Sequence, residues 1–419
     1  MENNLHKHKA ILSSIMNRPV YLWGAAQTGI GMINALERIS IKPAGFIDKR
    51  KEDIQEGVCG FPVYSLDEVM AAHDDIKPFI INTTTIHMDR IFSECEAVGL
   101  LPEKDFISYE QLCPVDYQVI VSSTCNLRCI SCPVGNRPSG MHKGFMRADD
   151  YVKVLDKILS ETPLITIIQL FNWGEPFLNP ELGKIIEITN ERGVLCSMSS
   201  NMNIVKNFEN VIAAKPAFLR ISMSGNKNTY DITHTGGKWD LLVNNLRKLH
   251  DLRKRHNPGM LIEVAYHVYA TTTAEDIRNV QAFCDELGFI LRPHLAALLP
   301  LDNVRDYMNK KVLSREACAT IDMLRLPIDE AISLAFEQKG NICCFDHSLT
   351  IESDLSVKQC GLWVYPEGNI VADNFLETSI ENITSIRQSS SLCELCKESG
   401  LHRFCSIYTD NSSDLKECQ

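Results

Sequence analysis

Between residues 117 and 297 the chain alternates six short runs of strand-forming residues with stretches of helical period, and this alternation constrains its fold more than any other feature. The runs are Tyr117–Ser122, Thr166–Leu170, Leu195–Ser199, Phe218–Met223, Leu261–Val268 and Phe289–His294, each about six residues long and rich in β-formers. Between them Tyr151, Val154, Leu155 and Ile158 share one helical face, and Leu242, Leu246 and Leu249 share another. Regular βα alternation implies parallel strands, and six such units make an open or partial barrel with its site at the strand C-termini.

Residues 1–115 read as a separate small α/β unit. A strand, Val20–Trp23, runs into Gly24-Ala25-Ala26-Gln27-Thr28-Gly29 and a helical pattern, Met32–Leu36; a second strand, Pro43–Ile47, ends at Asp48, and a third, Phe79–Asn82, leads into Thr83-Thr84-Thr85. The spacing from Gly24 to Asp48 is close to that between a phosphate-binding turn and a ribose-binding acid in a dinucleotide fold. Ala26 replaces the middle glycine, so the other reading is a helix-capping turn without a cofactor. The region 301–419 has an apolar helical stretch, Ile328–Phe336, then short turn-rich pieces; the hydrophilic tail after Cys405 is expected to be loosely ordered.

Composition narrows the function classes. The 419 residues are 45% hydrophobic and 23% charged, which is globular usage and excludes a disordered or collagen-like chain. With 42 Lys+Arg against 53 Asp+Glu the net charge is −11, which argues against a nucleic-acid or anionic-lipid surface. No apolar run approaches the ~18 residues of a membrane span, and Met1-Glu2-Asn3-Asn4 opens without a signal-peptide h-region, so a cytoplasmic protein is expected.

Sixteen cysteines are many for a compartment where thiols stay reduced. Six are scattered; the rest form a central and a C-terminal group. After the first barrel strand stand Cys125, Cys129 and Cys132 in the pattern C-x3-C-x2-C. Three thiolates on one loop cannot complete a tetrahedral zinc site, but they can hold three irons of a [4Fe–4S] cluster and leave the fourth open. In the second group one of the adjacent pair Cys343 and Cys344, then Cys360, Cys393 and Cys396, make a four-thiolate set, with Cys405 as a further alternate. Spacing alone suits structural zinc or a closed [4Fe–4S] cluster.

The central triad resembles the hallmark of the radical SAM superfamily, with Ser131 at a position that is usually aromatic, and Gly144-Phe145-Met146 is similar to the subgroup with auxiliary clusters. Asn172-Trp173-Gly174-Glu175-Pro176 resembles that family's GGEP motif, with Trp173 in place of the first glycine; Ser199-Ser200-Asn201 and Ile221-Ser222-Met223-Ser224-Gly225 resemble its polar strand ends. The resemblance implies a TIM-like (β/α)6 partial barrel and S-adenosylmethionine (SAM) held by Gly174, Glu175, Ser200, Asn201 and Ser222. It further implies reductive cleavage of SAM to a 5′-deoxyadenosyl radical that abstracts a substrate hydrogen, with a flavodoxin or ferredoxin as electron donor.

Residues 351–360 look like the hairpin before a ligand in SPASM and twitch domains, with Leu355 where those have glycine. That likeness implies one auxiliary [4Fe–4S] cluster on Cys344, Cys360, Cys393 and Cys396, with Cys343 and Cys405 as alternates, in a twitch-like domain at 301–419 that follows a barrel at 116–300. The N-terminal unit resembles the Rossmann-like domains of bacterial nucleotide-sugar acyltransferases and some sugar methyltransferases, which implies a nucleotide sugar facing Gly24, Gln27 and Asp48. Together these resemblances imply oxidation of a saccharide or nucleotide-linked sugar. Peptide maturation, sugar epimerisation and a non-enzymatic electron-transfer or sensor role are the alternatives. His267, Tyr269, Arg292 and His294 are candidates to line the barrel interior.

Overall fold

The computed structural model describes residues 15, 18–54, 56–73, 75–84, 88–113, 115–134, 144–343, 345–364 and 369–410. The chain forms two compact units, one of residues up to Val115 with Ile158–Ile167 and Glu191–Leu195, the other of the remainder.

In the first unit β1 (Val20–Trp23), β2 (Gly45–Ile47), β3 (Val63–Tyr64), β4 (Phe79–Asn82) and β5 (Phe106–Ser108) form a parallel sheet in the order β3-β2-β1-β4-β5. Successive side chains feed two cores: Val20, Leu22, Phe79 and Ile81 pack on one face, and Tyr21, Trp23 and Ile80 on the other. A sheet buried on both faces needs continuous apolar strands, which is why β1 and β4 read as unbroken apolar runs. The strands β3 and β5 escape a sequence reading because two or three residues carry no readable period.

The second unit is built on a nine-stranded sheet. Its strands β6 (Asp116–Val119), β7 (Ile167–Gln169), β8 (Leu195–Ser200), β9 (Phe218–Ser224), β10 (Leu261–Val268) and β11 (Ile290–Leu295) lie in sequential order, parallel with helices between them, a partial TIM-like barrel. Along β10, Ile262, Val264, Tyr266 and Val268 are buried, while Glu263, Ala265 and His267 occupy the alternate face. The helix Ala148–Glu161 buries Tyr151, Val154, Leu155 and Ile158, and Trp239–His256 buries Leu242, Leu246 and Leu249. The Lys248–His256 run ends that helix, where basic charge suits the dipole.

The sheet continues beyond β6 into β12 (Ser348–Ile351), β13 (Val357–Lys358) and β14 (Ile370–Ala372). β12 is parallel to β6, and the other two turn back antiparallel. The β12–β13 turn holds Leu355 at φ +72°, so leucine occupies a left-handed backbone that favours glycine. Of the tail expected to be loosely ordered, residues 406–410 instead continue the helix Leu401–Asp410, where Phe404, Ile407 and Tyr408 recur at helical spacing and are buried; residues 411–419 lie outside the described residues.

Candidate functional site

Parallel strands bring all their carboxyl ends to one edge, so the loops after β6, β7, β8 and β9 meet there. The loop after β6 carries Cys125, Cys129 and Cys132, and its shape is set by other loops. Arg128 N–H donates to Thr235 O at 2.9 Å and Ile130 N–H to Thr233 O at 3.4 Å, both beyond β9. Asn126 Nδ2 donates to Asn203 O at 2.9 Å, and Asn201 Nδ2 donates to Asn126 Oδ1 at 3.0 Å and lies 3.6 Å from Cys125 Sγ.

The three thiols act on one another electrostatically. Burial, then the neighbouring Glu175, pushes the Cys125 thiol up to about 12. Burial, then Cys132 and Cys125, pushes Cys129 up as well. Such thiols ionise only against a strong local cation, which a bound metal provides. Among the described residues no three His, Cys, Asp or Glu side chains close around a single ion. Three thiols on one loop are the donor chemistry of an iron–sulfur cluster, which spreads its thiolates over separate irons.

The loop after β7 is wedged against the thiol loop. Gly174 has φ +111°, and a β-carbon there would stand 2.1 Å from Ser122 O. Its lack of a side chain thus serves the close approach of two loops, and Glu175 N–H donates to Thr124 O at 2.7 Å. The Glu175 side chain is buried, accepting from Phe177 N–H at 3.1 Å and Asn201 N–H at 2.8 Å. Burial raises it to about 7 against these donors and a Ser200 hydrogen bond. Ser200 Oγ also accepts from Met202 N–H at 3.0 Å, turning the chain out of β8. Glu175, Ser200 and Asn201 therefore form one connected group, and Ser222 lies on β9, opposite Ala265 of β10.

Three partners escaped the sequence reading. Asn203 donates to the Tyr230 hydroxyl at 2.8 Å, Tyr230 stacks on His234 at 4.7 Å between centroids, and His234 Nδ1 lies 2.9 Å from Ser224 Oγ. The Asn201-x-Asn203 repeat at a strand end was the available signal. His267 and His294 come together, with ring centroids 4.4 Å apart. Burial lowers both, His267 further through its imidazole neighbours. Arg292 instead lies 3.6 Å from Glu263, and Tyr269 hydrogen-bonds to Ser131.

In the second cysteine group, Cys343, Cys360, Cys393 and Cys396 come within electrostatic reach. Burial raises Cys396, followed by the charges of Cys360, Cys343 and Cys393. Cys344 lies outside the described residues, and Cys405 sits on Leu401–Asp410. Asn172 Nδ2 and Trp173 Nε1 donate to Gly361 O, at 3.1 and 2.7 Å. The residue after Cys360 is thereby tied to the loop that carries Glu175.

In the N-terminal unit the Gly24 turn is closed by its own sheet. Gly24 has φ +116°, and its missing β-carbon would meet Thr84 Cγ2 at 2.6 Å. Asp48 accepts from Ala25 N–H at 3.0 Å and from Arg50 at 3.0 Å. Burial opposes the Asp48 carboxylate, yet these hydrogen bonds hold it below its ordinary range. Gln27 opens the helix Gln27–Arg38, which has no side-chain cap.

No described helix is long and apolar enough to cross a membrane. No curated protein matches the chain. Among solved structures, that of His6-tagged anSMEcpe with bound AdoMet is 17% identical with a TM-score of 0.46, covering 69% of this chain and 84% of its own. Streptococcus suis SuiB bound to S-adenosylmethionine is 13% identical with a TM-score of 0.46, covering 76% and 83%. BtrN in complex with AdoMet and 2-DOIA is 15% identical with a TM-score of 0.38, covering 70% and 91%. Residues 119–284, from the first barrel strand through the helix before the last, match the family described as the Radical SAM superfamily, and the centre of this chain is a radical SAM domain.

Proposed function

We propose that this protein is a radical SAM enzyme that oxidises a saccharide or nucleotide-linked sugar. The observation that carries the radical assignment is the three-thiol loop at the carboxyl edge of the barrel, locked to Glu175 and Asn201. Cys125, Cys129 and Cys132 would hold a [4Fe–4S] cluster with one iron left open for SAM. When bound, cluster and SAM supply the electron and the radical that abstracts a substrate hydrogen atom. The Glu175 oxygens accept Phe177 N–H, Asn201 N–H and a Ser200 hydrogen bond, which leaves one lone pair for the SAM ammonium. Asn201 and Asn126 orient the first thiol, and the neutral imidazoles of His267 and His294 offer a substrate hydrogen-bonding groups without fixed charge.

The twitch-like reading supports an auxiliary cluster on Cys343 or Cys344 with Cys360, Cys393 and Cys396. Such a closed cluster suits oxidation, because it can take the electron left on the substrate. The sugar class rests on the likeness of the N-terminal unit to sugar-enzyme modules, with Gly24, Gln27 and Asp48 as the nucleotide-facing residues. The test is 5′-deoxyadenosine formation by anaerobically reconstituted protein with SAM and reductant, across nucleotide sugars, free nucleotides and peptides. Stimulation by one nucleotide sugar supports the substrate class; stimulation only by peptides overturns it. Cys129→Ala should abolish SAM cleavage, and unchanged cleavage would refute the radical assignment.

A further inference from the structure

Beside the second cysteine group lies a buried cation without a carboxylate partner among the described residues. Arg387, 9% exposed, donates through Nε to Gln359 O at 3.0 Å and through a terminal nitrogen to Phe345 O at 3.3 Å. Carbonyl oxygens take two of its N–H groups but leave its charge uncompensated, and a buried unpaired charge is costly. The guanidinium is held on the carbonyl of Gln359, the residue before Cys360, so the anionic group beside it would be the loaded thiolate set.

Gln359 adds an independent sign. Its Nε2 donates to Arg387 O at 3.0 Å and lies 3.0 Å from Cys393 Sγ, while its Oε1 is buried without a hydrogen-bond partner among the described residues. Turning the amide over would set Oε1 against the Arg387 carbonyl and lose that hydrogen bond. The side chain thus holds a donor on the sulfur at the cost of an unsatisfied acceptor.

We propose that Arg387 and Gln359 set the auxiliary site as an electron acceptor. This rests on the reading that the site holds a [4Fe–4S] cluster. Taking one electron from a one-electron donor, the substrate-derived radical in the proposed oxidation, makes an anionic cluster more negative. No bond to the protein forms or breaks. A buried guanidinium and a hydrogen bond to a ligand sulfur both stabilise the added charge, which raises the reduction potential.

The test uses the full chain carrying Cys125→Ala, Cys129→Ala and Cys132→Ala, so that only the auxiliary site loads, with dithionite and mediator dyes in an EPR-monitored redox titration. Arg387→Met and Gln359→Leu should each shift the midpoint potential downward, and Arg387→Lys should recover part of the loss. Gln359→Leu keeps the bonds of its own N–H to Asn369 O and of its own carbonyl to Arg387, so it remains informative if Arg387→Met does not fold. Unshifted potentials at unchanged iron content would overturn the proposal. A parent protein that binds zinc or no iron would overturn the cluster reading itself, and iron analysis separates the two failures.

Discussion

Gly174 and His234 show how single residues fix the carboxyl edge of the barrel. A methyl group on Gly174 would meet the Ser122 carbonyl at 2.1 Å on a backbone at φ +111°. Strain and overlap together should cost about 3 kcal/mol or more in Gly174→Ala. Urea denaturation measures this, and a loss below about 1 kcal/mol would mean that the two loops can part freely. For His234, burial lowers the pKa from 6.5 to about 4, so the unfolded chain binds its proton more readily than the folded one. Stability present above about pH 6.5 is therefore lost as pH falls toward 4, by about 3 kcal/mol at most. Ser224, Thr233, Tyr230 and His267 surround this ring and supply no anion to oppose the trend. Thermal unfolding against pH should show a shallower acid loss in His234→Gln; an identical slope would assign the loss to His267 and His294.

At the scale of elements, the loop after β7 and the segment after β13 are joined through Gly361. Trp173, which replaces a glycine of the family motif, donates its indole N–H to Gly361 O at 2.7 Å. Trp173→Phe keeps the ring and deletes this donor, while Asn172 still bonds the carbonyl. A loss of about 1 kcal/mol is expected in chemical denaturation, and no loss would show that Asn172 alone suffices. The motif residues were legible in the sequence because their spacing survives at the strand ends. The reason for tryptophan was not, because its partner lies 188 positions away. The β12–β13 hairpin was legible in the same partial way: its pattern was visible, and the left-handed φ of Leu355 came only with the fold.

For the whole molecule, two cysteine groups on one unit imply two metal loads. Anaerobically reconstituted protein should carry about eight irons per chain and the Cys125/Cys129/Cys132→Ala variant about four. About four irons with one zinc in the parent would refute the auxiliary cluster. Cys343→Ser should lower the auxiliary load, because this thiol acts on Cys396; full retention would exclude it as a ligand.

The strand–helix alternation and the cysteine spacings determined by themselves the parallel barrel and the loop that bears the triad. Both are local: period is set by the backbone repeat, and three ligands of one loop are close along the chain. Only the tertiary structure decided that Glu175 is buried under Asn201, that Asn201 reaches Cys125, and that Arg387 lies beside Cys360. Those relations join residues 26, 76 and 27 positions apart. No periodicity encodes such distances, because they depend on how strands register and loops close across the sheet.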